Sequence, residues 1–133
     1  MKLTLKEIYN SQGPLQKIIS FEMDTKGKYW VAKHAKKLFS EIKTIDDRRI
    51  ELLKKYGKKN KNGFEIQASD TENMKKFTDE FGALLEEEIE VNIQKIKFEY
   101  FEPLKISPAV LMGIDFLIEE PKDAPKETKK EKV

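Results

Sequence analysis

A chain of 133 residues, 38% apolar and 38% charged, fits one domain with a modest core, since single cores are typically built from about 100–150 residues. No stretch approaches the roughly 20 apolar residues of a membrane span, the N-terminal Met-Lys-Leu-Thr-Leu-Lys-Glu lacks the hydrophobic run of a secretion signal, and a cytoplasmic protein without membrane contact is expected. Zero cysteines exclude disulfides and thiolate chemistry, and a single histidine excludes any site needing two imidazoles.

The net charge of +2 hides a segregation. Residues 1–60 carry 15 Lys or Arg against 7 Asp or Glu, whereas residues 61–102 carry 5 against 11. Only Arg48 and Arg49 among the 26 cations are arginines, the side chain best suited to bidentate contacts with phosphates and guanine edges. Sequence-specific nucleic-acid binding is therefore not expected.

Thr4 and Glu7 form the S/T-x-x-E capping box, with Leu3 and Ile8 as hydrophobic staple, which predicts a short helix from Leu5 that stops before Gly13-Pro14. Leu15, Ile18 and Ile19 then share a face, predicting a second short helix over 14–22. After Asp24-Thr25, residues Val31, Ala35, Leu38, Ile42, Ile45, Arg49, Leu52 and Tyr56 recur at steps of four and three. That is the seam of a long helix, interrupted only by Arg49, which Gly57 is expected to close in a left-handed conformation. Arg49 either fixes register or lays its stem over Leu52 or Leu53 and sends its guanidinium to solvent or to an acid of the facing helix, the second being preferred.

Lys-Lys-Asn-Lys-Asn-Gly predicts a polar turn, and Phe64 and Ile66 flank Glu65 as in a short strand. Ser69 and Glu72 make another capping box, and Met74, Phe77, Phe81, Leu84 and Leu85 give a second long helix to about Glu87. Two helices with one apolar face each are expected to fold back as an antiparallel hairpin, aided by their opposite charges. Alternation at Ile89, Val91 and Ile93 predicts a strand reaching towards Ile96 and Phe98, available to pair with the one at Phe64. Ser107-Pro108, with Ile106 and Leu111 as staple, opens a last helix to about Ile118. The fold class is therefore α+β: a long-helix hairpin with short flanking helices and a small antiparallel sheet over residues 1–120. The charged, apolar-poor segment 121–133 is expected to be a disordered tail.

Little in this sequence offers catalysis. His34 has Lys33, Ala35, Lys36 and Lys37 as neighbours and is expected to be a part-exposed helix residue rather than a general base. The run Glu86, Glu87, Glu88 and Glu90 lacks the spacing of a calcium loop and reads as a solvated helix end. Neither Gly-rich phosphate-loop pattern is present. No catalytic residue, metal or cofactor is expected. The outer face of the long helix offers more: Tyr29, Lys33, Lys36, Lys37 and Ser40 fall together opposite the seam, with Trp30 and His34 on its shoulder. Aromatics among lysines serve protein interfaces or stack on bases, or else Tyr29 and Trp30 simply pack against the short N-terminal helices above a solvated lysine face. The candidate partner-binding residues are Tyr29, Trp30, Lys33, Lys36 and Lys37, whose lysines are expected to contribute little to stability.

The segments Met1–Ser11, Ala32-Lys33-His34-Ala35-Lys36-Lys37-Leu38, Arg48 to Gly57 ending Leu-Leu-Lys-Lys-Tyr-Gly, and Ile106-Ser107-Pro108-Ala109 together resemble a family of small proteins encoded by tailed bacteriophages and prophages, a likeness over about residues 1–118. Members of that family mostly have no assigned function, so the resemblance implies a phage origin and a bacterial host cytoplasm and supplies no catalytic residues. The expectation is a non-enzymatic protein that binds and modulates a host protein bearing an acidic patch. The alternatives are a self-associating virion or assembly component and, third, a weak nucleic-acid binder.

Overall fold

A computed structural model describes residues 1–121 and shows an α+β fold dominated by one long helix. Strand β1 (Lys2–Thr4) runs directly into α1 (Leu5–Asn10), whose capping box is complete: Thr4 Oγ1 accepts from Glu7 N at 3.1 Å and Glu7 Oε1 accepts from Thr4 N at 3.0 Å. Helix α2 (Gln12–Ile19) follows after the single residue Ser11, whose carbonyl accepts from Leu15 N. It begins two residues earlier and ends three earlier than the apolar spacing suggests. Gly13 and Pro14 thus occupy its first turn, where a missing N–H leaves no helical bond unmade.

Helix α3 (Thr25–Tyr56) spans 32 residues, capped by Asp24, whose carboxylate accepts from Lys26 N. Gly57 ends it with φ −104° and ψ −177°, extended and not left-handed, because the chain continues straight into a hairpin. Glycine is needed there for space: a Cβ would lie 2.6 Å from the Glu65 carbonyl oxygen and 2.7 Å from that of Leu53. The hairpin joins β2 (Lys58–Asn60) to β3 (Gly63–Glu65), with Lys59 opposite Phe64. Its turn relies on Gly63 at φ +125°.

Helix α4 (Thr71–Leu85) is capped by Asp70 rather than Ser69. The Asp70 carboxylate accepts from both the backbone and the side chain of Asn73. Strand β4 (Glu88–Glu90) then pairs antiparallel with β1, Leu3 opposite Ile89. Among the described residues there are therefore two separate two-stranded sheets, and the Phe64 and Ile89 strands do not meet. After Val91 the expected long strand gives way to a tight turn at Asn92, where Ile93 N donates to the Val91 carbonyl at 2.8 Å, then to an isolated parallel bridge between Ile96 and Ile118 and a 3-10 turn at Phe98–Tyr100. Helix α5 (Pro108–Gly113), capped by Ser107, is followed by a second such turn at Asp115–Leu117 instead of running on to Ile118. Residues 122–133, which make up nearly all of the segment expected to be a disordered tail, lie outside the described residues.

One contiguous core runs from Leu3 to Ile118. Val31, Ala35, Leu38, Ile42 and Ile45 of α3 enter it together with Ile8, Leu15 and Ile18 of α1 and α2, and with Val91, Ile93, Ile96, Phe101, Ile114 and Leu117 from the C-terminal third. The chain after α3 does run back along it, as Lys55 pairs with Glu80 and Lys37 reaches Asn92. Yet α4 has no fully buried side chain: Phe77, Phe81, Leu84 and Leu85 are half-buried and Met74 is exposed. Helix α4 therefore packs on α3 as the expected hairpin partner but with half-buried side chains, while α1, α2 and the fully buried residues from Val91 to Leu117 complete the cover of the seam. Lys55–Glu80 is the one ion pair between α3 and α4 among the described residues, so charge segregation does little to hold them together.

Candidate functional site

The N-terminal half of α3 is anchored by Val31, Ala35 and Leu38, all 2% exposed or less, which fixes the direction of every side chain on its other faces. Tyr29 and Trp30 are 57% and 41% exposed. Their rings meet edge to face with centroids 5.1 Å apart. The Lys33 ammonium stands over both, 5.7 Å from the Tyr29 centroid and 5.4 Å from that of Trp30, within the range of a cation–π attraction. The two aromatics are therefore not absorbed by α1 and α2. Ile19, Ile50, Met74 and Met112, also exposed, are scattered along the chain, as single surface apolar residues commonly are.

The remaining lysines of the face divide. Lys36 is exposed, whereas Lys37 is half-buried and donates from Nζ to the Asn92 carbonyl at 2.7 Å. Lys37 thus holds the segment after β4 against α3. That segment forms a second wall beside the face, and two depressions lie between the walls. One, of about 560 Å³, is lined by Lys33, Lys36, Lys37, Glu41, Glu90 and Asn92 among others. The other, of about 260 Å³, is lined by Trp30, His34, Gln94, Lys95, Lys97 and Tyr100 along with Ile96.

His34 departs from expectation. It is 4% exposed rather than part-exposed, its ring lies 5.7 Å from that of Trp30, and its Nδ1 has no hydrogen-bond partner. The expected position came from its flanking lysines, but at one helical turn before Leu38 it falls on the edge of the seam, and residues 94–100 close over it. Burial, then the Lys37 and Lys33 ammonium groups, hold its pKa below the ordinary histidine value. No carboxylate or hydroxyl among the described residues bonds to it, so it lacks the orienting partner that general-base schemes use.

The acidic run is dispersed. Glu86, Glu87, Glu88 and Glu90 are all exposed, and the Glu87 carbonyl accepts from Leu5 N. The Glu90 carboxylate pairs with the Met1 amino group, which lowers its pKa. Among the described residues no group of three His, Asp or Glu converges as a metal site, and no helix is long and apolar enough to cross a membrane. Arg49 donates to Asp46 Oδ1 at 2.9 Å, and Tyr9 donates to the same oxygen. Its acidic partner is thus on its own helix and not on a facing one.

The sequence gives the helix wall of the groove but misses the other wall, Asn92, Gln94, Lys95, Lys97 and Tyr100. Polar residues between Val91, Ile93 and Ile96 are a signal that this stretch has an outer side, but alternation does not say which side of α3 it lies against. No protein-family model matches this chain, and no curated protein or solved structure is significantly similar to it.

Proposed function

We propose that this chain is a non-enzymatic interaction protein that binds and modulates a host protein through the Tyr29–Trp30–Lys33 face of α3. The observation that carries this reading is the contact of two exposed aromatic rings with one another under a single ammonium, on a helix whose opposite side is locked into the core. Aromatic side chains supply large contact area at small entropic cost, and tryptophan and tyrosine are enriched at the energetic centres of interfaces. Lys33 and Lys36 add positive charge that steers an acidic partner. The phage setting of this reading comes from the sequence resemblance alone.

The test is retention from an extract of infected or prophage-bearing host cells by the intact chain and by its Tyr29→Ala/Trp30→Ala variant. The expected result is one stoichiometric host protein held by the first and lost by the second, with unfolding midpoints within a few degrees of each other. Equal retention by both overturns the assignment of this face. Retention of virion proteins, or of further copies of the chain, points instead to an assembly component.

A further inference from the structure

On the interaction reading above, the groove beside the aromatic pair defines what the partner must present. Both depressions are walled by α3 and by the chain after β4: one lies between Trp30, His34 and residues 94–97, the other between Lys33 to Glu41 and residues 90–92, so the two succeed one another along the helix. Five lysines line them, Lys33, Lys36, Lys37, Lys95 and Lys97, against two carboxylates, Glu41 and Glu90. Glu90 is already paired with the Met1 amino group. The Lys37 ammonium bonds a neutral carbonyl, so its charge stays uncompensated.

The Trp30 end is the more specialised. No carboxylate lines it, and among its lining residues is a nearly fully buried imidazole with an unpartnered nitrogen. The unpartnered Nδ1 is closed to solvent and is not reached from the depression. A carboxylate seated in the depression offsets the Lys95 and Lys97 charges and lies near enough to the ring to favour its protonated form, while the Trp30 and Tyr100 rings flank its aliphatic stem. From Trp30 to Glu41 the helix rises about 16 Å, the reach of about five residues of extended chain. We infer that this groove is the docking site of a short extended acidic segment of the partner protein, with one carboxylate seated in the depression lined by His34, Lys95 and Lys97.

A nucleic-acid strand fits less well. The groove carries no arginine, and Lys97 also borders a further depression lined by Glu99, Glu102, Glu119 and Glu120, which repels a polyanion continuing past the His34 end. A short acidic segment stops before it. The occupancy is also linked to protons. The charged and titratable groups that face His34 are Lys33 and Lys37 from its own helix and Lys95, Lys97 and Tyr100 from the opposite wall, with no carboxylate among them. In the free protein these surroundings disfavour the imidazolium, and a seated carboxylate favours it, so binding takes up a proton and tightens as pH falls.

Trp30 and His34 are the chain's sole tryptophan and sole histidine. Indole emission and the imidazole proton resonances therefore report this depression in the unlabelled protein. The probe is a capped pentaglutamate at near-physiological salt, compared with pentalysine and a short oligothymidylate. Pentaglutamate is expected to shift both signals saturably, to raise the His34 titration midpoint, and to bind at least about threefold more tightly at pH 6 than at pH 8. Lys95→Glu/Lys97→Glu is expected to weaken it at least about tenfold with an unchanged unfolding midpoint, both lysines being exposed.

Silence of both signals, an equal response in the double variant, or tighter binding of oligothymidylate overturns the inference, the last assigning the groove to nucleic acid. The same variant separates this inference from the proposed function. If Lys95→Glu/Lys97→Glu retains the host partner as the intact chain does while Tyr29→Ala/Trp30→Ala loses it, the aromatic face stands and the groove falls.

Discussion

Lys37 and Asn92, 55 residues apart in sequence, are joined by a 2.7 Å hydrogen bond from the ammonium to the backbone carbonyl. This bond fastens the far wall of the groove to α3, and it separates Lys37 from the lysines it accompanies on the helical wheel. Lys37→Met removes a charge-assisted bond at a half-buried position and is expected to cost about 1 kcal/mol, whereas Lys36→Met on the open face should stay within about 0.5 kcal/mol. Urea denaturation of the two variants checks this. Equal midpoints would show that the bond contributes nothing. Charge reversal aimed at the partner surface alone therefore belongs at Lys33 and Lys36, because reversal at Lys37 also loosens the fold.

Leu38 and Phe81 both lie on predicted apolar stripes, yet their surroundings differ. Leu38 is fully buried at the centre of the core, and Leu38→Ala is expected to cost about 2–5 kcal/mol. Phe81 is half-buried, edge-on to Tyr9 and stacked on Phe77. With part of its ring already in water, Phe81→Ala should cost about 1–2 kcal/mol. Hydrogen exchange should show the same asymmetry, with amides of α4 opening below the global unfolding free energy and those around Leu38 only with it. Uniform protection across both helices would contradict this picture of α4 as the weaker element.

Two glycines give opposite expectations for the same substitution. At Gly82, within α4, a Cβ meets nothing within 4 Å, so Gly82→Ala should stabilise by about 0.4–1 kcal/mol through reduced chain entropy. At Gly113, where α5 crosses α2, a Cβ would lie 2.3 Å from Pro14 Cγ. The pyrrolidine ring has little freedom to yield, and Gly113→Ala should destabilise by about 1–3 kcal/mol. Thermal unfolding of the pair decides the matter, and a stabilised Gly113→Ala would mean that the α2–α5 approach is looser than described.

What was legible in the sequence follows from the range of the signal. The capping box at Thr4 and Glu7, the Asp24-Thr25 start of α3, and the Ser107-Pro108 start of α5 are local, and each helix begins where its cap stands. The seam from Val31 to Ile45 is buried as its period implies. Pairing was not legible, because three-residue strands carry no register information of their own: β3 closes on β2 through the turn at Gly63, and β4 is claimed by β1 from the other end of the chain. For the same reason the outer face of α3 could be named from its spacing, but not the segment that turns it into a groove. His34 was misplaced because its neighbours in sequence are lysines, while its neighbours in space are Trp30, Ile96 and Tyr100.

That placement of His34 gives a pH dependence with a definite sign. The unfolded chain takes up the imidazole proton near the ordinary value of 6.5, and the folded chain only at lower pH, because burial and the Lys37 and Lys33 charges disfavour the imidazolium. Between those two values the unfolded state binds more protons, so stability falls as pH falls, by at most about 1.4 kcal/mol per pH unit for one group. The contribution of neutral His34 is fully present above about pH 6.5 and is lost as pH drops towards the folded value. Glu22, Asp70 and Glu90, whose pKa values are lowered by Lys28, by Asn73 and by the Met1 amino group, act in a separate window below their unfolded values near 4. As the chain has no second histidine, the difference between the intact chain and a His34 variant over the interval from pH 7 to 5.5 reports this imidazole. Urea denaturation across that interval should show stability declining in the intact chain and nearly constant in His34→Phe, which keeps an aromatic ring in the same place. A decline of equal size in both would assign the acid sensitivity to another group.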